Sequence, residues 1–113
     1  MITARFYQKP SAGSIHMSIK GHAGAAPKGE DLICSAATML AYTVAQAVQF
    51  MDEQAMLKKK PKIRIKDGEA IVIATPKEEA FAEVLHTFWV GQCGIHVLAH
   101  NYPQHVKLEH LKV

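Results

Sequence analysis

A chain of 113 residues is long enough for one domain with its own core and too short for two independent ones. Hydrophobic residues make up 49% of the chain and charged residues 20%, a balance that excludes an intrinsically disordered protein. The formal net charge of +3 is mild and falls short of the clustered basicity of a dedicated nucleic-acid-binding protein. We therefore expect a single globular domain over residues 1–113.

The cysteine content and the N-terminal sequence bear on the cellular compartment. Cys34 and Cys93 are too few for a disulfide framework, and MITARFYQK has neither the apolar core nor the cleavage site of a signal peptide. The most apolar segment is interrupted by Gln46, Asp52 and Glu53, so we expect no membrane span. These observations favour the reducing cytoplasm.

The first half of the chain predicts a β-hairpin followed by a helix. Residues 2–9 alternate loosely, and after a turn the segment SIHMSIK (14–20) alternates cleanly between apolar and polar positions. A loop of small residues covers 21–29, and the run 32–51 is rich in alanine, leucine and valine, as in a helix covered on most sides. We expect one face of the hairpin in the core, with Ile15, Met17 and Ile19, and the other in solvent, with Ser14, His16, Ser18 and Lys20.

The second half repeats this order. KIRIK (62–66) and EAIVIAT (69–75) are joined by Asp67-Gly68, a dipeptide that suits a tight hairpin turn. A second long helix begins at Lys77 with acidic residues in its first turn and ends before Pro103. Its apolar stripe contains Phe81, Val84, Leu85, Phe88, Ile95 and Leu98.

The element order is therefore ββαββα, and the tail VKLEHLKV can add a short strand. This order predicts an α+β fold, a two-layer sandwich in which two helices pack on one face of a mostly antiparallel sheet. Gly91 and Gly94 in the second helix allow close approach of another backbone, either the first helix or a second subunit. Trp89 lies off the apolar stripe and is a candidate for contact with a partner chain.

The chemistry of the chain centres on His22 and Cys34. With Asp31 as N-cap, Cys34 is the third residue of the first helix, where the positive end of the helix dipole modestly favours a thiolate. His22 follows the second strand directly, and the intervening loop is long enough to bring the helix start beside it. A cysteine nucleophile with a histidine base is one interpretation, and a small buried cysteine that packs a helix against the sheet is the other.

The loop between these two residues has a composition suited to peptide binding. Its small side chains leave main chain uncovered, so that an extended peptide could lie against it. The residues concerned are Gly21, Ala23, Gly24, Ala25, Ala26 and Gly29.

The segments GHA (21–23) and DLICSAAT (31–38) resemble the signature of the ribosomal-processing cysteine protease family, often called Prp. Its members share Gly-His-Ala at the end of the second strand and an Asp-x-x-Cys-Ala-like start of the first helix. The resemblance covers the whole chain in length and element order, and Tyr102-Pro103 also recurs in relatives. Thr38 stands where relatives usually carry serine, and Ser35 where alanine is common.

The resemblance implies a cytoplasmic bacterial endopeptidase that removes a short N-terminal extension from a protein of the large ribosomal subunit. It implies Cys34 as nucleophile, His22 as base and a homodimer, with no cofactor or metal. Asp31 either caps the helix or orients His22, and Thr38 lies one turn after Cys34 on the same helical face. Backbone N–H groups at the helix start, including that of Cys34, are candidate oxyanion donors.

Two further features admit other functions. Cys93, His96 and His100 share one face of the second helix and are compatible with a metal site, although such a set is more often a mixed polar face. The run Lys58–Lys60 is expected to be a solvated connector, but it could contact RNA or an acidic substrate. The competing functional class is thus a non-catalytic ribosome- or RNA-associated module.

Overall fold

One sheet and two helices make up the fold in the computed structural model, which describes residues 1–27 and 31–111. The strands are β1 (Ile2–Lys9), β2 (Ser14–Lys20), β3 (Lys62–Lys66), β4 (Glu69–Ala74) and β5 (Val106–Glu109). Their order in the sheet is β3-β4-β2-β1-β5, and every neighbouring pair is antiparallel except β1 and β5. The predicted α+β architecture is confirmed, and the C-terminal tail supplies the parallel edge strand.

Both helices pack on the same face of this sheet. The first, α1 (Leu32–Glu53), begins after the N-cap Asp31, as predicted. The second, α2 (Phe81–Asn101), starts later than expected, because a 3₁₀ turn over Glu78–Ala80 precedes it. The elements occur where the sequence predicted them, but α2 begins four residues later than expected.

The core lies between the helices and the sheet. Val84, Phe88 and Ile95 of the predicted α2 stripe are fully buried, and Phe81, Leu85 and Leu98 pack around them, half-buried. Opposite them lie apolar side chains of the central strands, with Ala4, Phe6, Ile15, Met17 and Val72 almost without solvent exposure. The alternation read in β2 therefore identified its core face correctly.

The two glycines of α2 contact the first helix. A Cβ atom added at Gly91 would collide with Val44, and one added at Gly94 would meet Leu40. Both partners belong to α1, so the small residues serve helix packing within the subunit. Of the two alternatives that the sequence left open, the structure supports the close approach of α1.

The outer face of β2 is less exposed than the alternation predicted. Ser14 and His16 were expected in solvent, but each is only 5% exposed. His16 stacks on Tyr7 with ring centroids 4.6 Å apart, and its Nε2 lies 2.7 Å from the Ser14 hydroxyl. The reason is topological: β2 is the central strand, so side chains of its neighbours cover it even without a second layer. Burial lowers the pKa of His16, and the charge of Lys9 adds to this effect.

The same outer face concentrates positive charge. Side chains alternate along the strands, so the positions between the core residues point away from the helices. Against the two acidic residues Glu69 and Glu109, the outer positions of the strands carry Arg5, Lys9, Lys20, Lys62, Arg64, Lys66 and Lys107.

The composition of α1 corrects one expectation. The sequence was expected to hold no segment able to span a membrane, yet α1 is long and apolar enough to do so by length and composition alone. In the fold, one face of this helix is part of the core, with Ile33, Ala37, Ala41, Val44, Ala45 and Val48 buried. A core helix of a soluble protein meets the same criterion, because alanine-rich packing surfaces raise its hydropathy.

Candidate active site

Cys34 lies in the first turn of α1, and both its N–H and its sulfur make hydrogen bonds. Its N–H donates to Asp31 Oδ1 at 3.0 Å, as expected of an N-cap interaction. Its sulfur accepts a hydrogen bond from the N–H of Ala23 at 3.2 Å. The thiol is half-buried, whereas Cys93 on α2 is exposed. Of the two cysteines, Cys34 alone therefore combines a cavity position with a backbone donor on its sulfur.

Asp31 uses both carboxylate oxygens to hold the backbone around Cys34. Besides the bond to Cys34, Oδ2 accepts a hydrogen bond from the N–H of Ala25 at 3.1 Å. The N–H of Cys34 contributes most to lowering the pKa of this carboxyl, against the opposing effect of burial, and the N–H of Ala25 lowers it further. The capping interpretation is confirmed, and the residue also ties the loop to the helix start.

His22 follows the end of β2 and projects toward the turn between β3 and β4. Its Nε2 lies 3.9 Å from Asp67 Oδ1, a distance suited to an ion pair but beyond a hydrogen bond. Both side chains are more than half exposed, at 56% for His22 and 64% for Asp67. The acidic side chain that approaches the imidazole is thus Asp67, whereas Asp31 interacts with backbone N–H groups and with the Cys34 side chain.

His22 and Cys34 line the same cavities. A cavity of about 270 Å³ lies between α1 and the β3–β4 turn, and it includes both residues together with Thr38 and Gly68. A larger space of about 620 Å³ adjoins it on the outer side, where Gly24 and Ala26 of the loop also take part. The fold therefore brings the two predicted catalytic residues, twelve positions apart in sequence, to one opening.

The opening continues as a groove along α1. Tyr42, two turns after Cys34, lines both cavities and a third one of about 320 Å³. That third cavity is bounded by Gln46 and Gln49 of α1 and by Ile63 and Ile65 of β3. An extended ligand could thus run from the loop past Cys34 toward β3.

The small-residue loop is anchored at one end and exposed beyond it. Ala23 is buried, with 3% of its surface exposed, and its N–H points at the Cys34 sulfur. Gly21 and the stretch 24–27 are exposed; Gly21 lines the smaller cavity, and Gly24 and Ala26 line the larger one. Gly29, also assigned to that segment, lies outside the described residues.

The backbone N–H and carbonyl of Cys34 both have hydrogen-bond partners, and these partners change two predicted roles. The Cys34 N–H, expected as an oxyanion donor, is bonded to Asp31 and is therefore not free for a substrate oxygen. The Thr38 hydroxyl donates to the Cys34 carbonyl at 2.8 Å, so it braces the helix while its side chain lines the cavities. The N–H of Ala23 donates to the sulfur. It thus makes the electrostatic contribution that was expected from the start of the helix.

The histidine-rich face of α2 has no arrangement typical of a metal site. Cys93, His96 and His100 are exposed, and His96 Nδ1 lies 3.2 Å from Nε2 of His110. Across residues 1–27 and 31–111, three or more histidine, cysteine or acidic side chains nowhere converge in a geometry that could hold a metal ion.

A family model described as cysteine protease Prp matches residues 1–107 of the chain. The chain belongs to the cysteine protease Prp family. It is therefore a cysteine protease, and the cavity shared by a half-buried thiol and a histidine agrees with Prp chemistry. No functionally curated protein matches the chain significantly.

Solved structures share the Prp fold at low sequence identity. The essential ribosomal processing protease Prp of Staphylococcus aureus, with a covalently linked product peptide, is 17% identical, with a TM-score of 0.73 over 99% of this chain and 100% of its own. The same protease with a substrate peptide is 16% identical, with a TM-score of 0.67 and the same coverage. The protein SMU.848 of Streptococcus mutans is 24% identical, with a TM-score of 0.65 over 99% and 96% of the two chains.

The structure adds residues to this Prp site that sequence reasoning did not find. Asp67 and Gly68 were recognised as a hairpin turn, but no local pattern shows that this turn faces His22. His105 lies 82 positions after Ala23 and places its Nδ1 2.7 Å from the Ala23 carbonyl oxygen. Contacts between residues so far apart in sequence depend on strand order, which the alternation of apolar residues does not encode.

Proposed function

We propose that this protease is an endopeptidase that removes a short N-terminal extension from a bacterial large-subunit ribosomal protein in the cytoplasm. The observation that carries the proposal is the common cavity of His22 and Cys34, which opens into a groove along α1. The S. aureus relatives, described as ribosomal processing proteases with substrate and product peptides, support this substrate class.

The proposed reaction is acyl transfer by a Cys34/His22 pair. His22 accepts the thiol proton, and the Cys34 thiolate attacks the scissile carbonyl carbon to form a tetrahedral intermediate. The protonated His22 then gives its proton to the leaving amine as the C–N bond breaks, which leaves a thioester on Cys34. Water, deprotonated by His22, hydrolyses the thioester and restores the thiol. The carboxylate of Asp67 lies 3.9 Å from Nε2 of His22, on the β3–β4 turn that borders the imidazole.

The groove sets the length of peptide that can be held. From Cys34 to Gln49, α1 rises by about 22 Å at 1.5 Å per residue. An extended peptide covers that distance with about six or seven residues at 3.3 Å each. We expect recognition of a short extended segment on one side of the scissile bond, with apolar contacts to Tyr42, Ile63 and Ile65.

The test is cleavage of a panel of synthetic N-terminal peptides of ribosomal proteins, with products identified by mass spectrometry. Wild-type protein should cut at least one peptide at a defined bond. Cys34→Ala and His22→Ala should lose at least about a thousandfold in rate, because removal of a nucleophile or its base leaves little catalysis. Cys93→Ser is the matched control and should cleave at the wild-type rate, since Cys93 is exposed on α2.

A thiol probe provides an independent measurement. Iodoacetamide should label Cys34 faster than the more exposed Cys93 near neutral pH, and His22→Ala should remove this preference. Cleavage retained in Cys34→Ala, or equal slow labelling of both cysteines, would overturn the assignment.

We also propose that the protein is a homodimer that pairs through α2. Three large apolar side chains of this helix are exposed, with Trp89 at 39%, Val90 at 58% and Val97 at 56%. Apolar residues exposed at one surface of a helix are typical of an interface with a second chain.

Contact with RNA is a second candidate function, and one observation favours it. The outer face of the sheet carries seven lysines and arginines against two glutamates, so it attracts a polyanion independently of the catalytic groove. Binding to a structured RNA should weaken steeply with salt, and Lys62→Glu with Arg64→Glu should reduce it while peptide cleavage persists. Affinity unchanged in the double variant would exclude this face as an RNA-binding surface.

A further inference from the structure

A chain of two hydrogen bonds links the turn before β5 to the thiol. The imidazole of His105 meets the carbonyl oxygen of Ala23 at 2.7 Å, and the N–H of Ala23 meets Cys34 Sγ at 3.2 Å. A carbonyl oxygen can only accept, so His105 Nδ1 carries the hydrogen in this contact. From these contacts we propose that His105 is a positioning residue that holds the Ala23 N–H against the nucleophilic sulfur. The proposal rests on the proposed role of Cys34.

The backbone of His105 is itself fixed. Its carbonyl oxygen accepts the N–H of Ile2 at 2.8 Å, where the parallel pairing of β1 and β5 begins, and its N–H donates to the Tyr102 carbonyl at 2.9 Å. The side chain therefore projects from an ordered turn that is bonded to the sheet. Such a support gives a hydrogen bond a defined direction, which a side chain on an exposed loop would not provide.

The backbone of Ala23 needs this support because two glycines close to it in sequence are permissive. Gly21 and Gly24 both have positive φ angles, of 95° and 70°, in the region that favours glycine. Between them, the Ala23 methyl group is buried and its two backbone polar groups are both hydrogen-bonded. Without His105 the buried carbonyl, which belongs to the Ala23–Gly24 peptide plane, would lose its partner. The backbone torsions of Ala23 could then change and turn its N–H, which belongs to the His22–Ala23 plane, away from the sulfur.

The N–H of Ala23 favours the charged form of the nucleophile. A donor aimed at sulfur stabilises the thiolate more than the thiol, because hydrogen bonds to an ionised acceptor are stronger. The Cys34 N–H cannot stabilise the thiolate in this way, because it donates to the capping carboxylate of Asp31. His105 thus acts on the reaction through Ala23 and does not touch the substrate.

The experiment compares three variants by alkylation of Cys34 in a Cys93→Ser background. His105→Leu removes the donor and should slow alkylation at pH 7 by about three- to tenfold, while the rate at pH 10, well above the usual thiol pKa of about 8.5, stays the same. His105→Asn places an amide N–H near the position of Nδ1 and should recover most of the rate. His100→Leu, at an exposed position of α2, is the matched control and should equal the parent.

The pH comparison separates positioning from a loss of structure. A fold weakened by His105→Leu would expose Cys34 and raise its alkylation rate at both pH values, which would overturn the proposal. Equal rates of His105→Leu and the parent at pH 7 would also overturn it. Alkylation needs no peptide, so a protein that labels as expected but cleaves none of the peptides would contradict the proposed substrate and leave the role of His105 established.

Discussion

Gly68, in the turn between β3 and β4, lies directly against the imidazole of His22. A Cβ atom added at Gly68 would stand 3.0 Å from His22 Nε2, and the φ angle of Gly68 is +74°. Glycine is therefore required at position 68 for two reasons: its backbone has a positive φ angle, and His22 occupies the space where a side chain would begin. Gly13, in the turn between β1 and β2, has a similar φ of +64°, but a Cβ there would meet nothing within 4 Å.

This pair of glycines allows a matched prediction. Alanine at either position should cost roughly 1–2 kcal/mol of stability, because both backbones lie in the left-handed region. Gly68→Ala should in addition displace His22 and lower kcat/KM for a cleaved peptide by about tenfold or more. Gly13→Ala should keep the wild-type value. Chemical denaturation gives the stabilities, and equal activity in the two variants would show that the turn does not position His22.

Two variants of Asp31 distinguish the contributions of its two carboxylate oxygens. Asp31→Asn keeps one oxygen for the Cys34 N–H but cannot accept a second bond from Ala25, and Asp31→Ala accepts neither. Melting temperatures at pH 7 should fall in the order wild type, Asn, Ala, and peptide cleavage should follow the same order. Identical melting temperatures for wild type and Asp31→Asn would mean that the bond to Ala25 contributes no stability.

The stability difference between wild type and Asp31→Asn should depend on pH, because the pKa of Asp31 is lowered in the folded protein. The folded protein binds its proton less readily than the unfolded chain, whose carboxyl has the usual value of 3.8. The stabilisation is therefore fully present above that value and is lost as pH falls through the lower pKa of the folded state. The gap in unfolding free energy between wild type and Asp31→Asn should narrow below pH 3.8.

His16 should make stability depend on pH in a more accessible range. Its pKa in the folded state lies below the usual 6.5, mainly because of burial, so the unfolded chain binds more protons at mildly acidic pH. Stability from the neutral ring is present above pH 6.5 and decreases as pH falls through the folded pKa. His16→Gln, whose amide can replace Nε2 opposite Ser14, should flatten the change in unfolding free energy between pH 8 and pH 5.5. His100→Gln should leave that change as it is in wild type.

The proposed dimer can be tested at Trp89. Trp89→Ser together with Val90→Ser should raise the dimer dissociation constant by roughly tenfold or more, because buried tryptophans often dominate interface energies. Sedimentation velocity over a concentration series measures this. Phe50→Ser is the control, since Phe50 is 53% exposed but belongs to α1. A larger effect of Phe50→Ser would move the interface to α1.

Local chemistry explains which parts of the fold the sequence could predict. The Asp67-Gly68 turn, the cap at Asp31 and the alternation in β2 each depend on neighbouring residues, and all three occur where they were expected. The burial of Ser14 and His16 was missed because alternation identifies the two faces of a strand but not its place in the sheet. Only the central position of β2 makes its outer side chains inaccessible.

The same distinction holds for the site. His22 and Cys34 could be named as candidates because a motif and a helix start identify them within a short stretch, and the structure places both at one cavity. Asp67 and His105 could not, because their roles depend on which strand ends meet in space. The loop was predicted as a continuous peptide-binding segment, yet the structure shows that Ala23 is buried and hydrogen-bonded while 24–27 is exposed.

The parallel pairing of β1 and β5 affects the order in which the protein becomes complete. Strand β5 and His105 follow both helices in the chain, so they are synthesised after His22 and Cys34. A nascent chain that has reached the end of α2 contains both proposed reacting residues but lacks the side chain that bonds to Ala23. Full reactivity of the thiol would then await the synthesis of β5, so that a chain ending before β5 would cleave peptides more slowly than the complete fold.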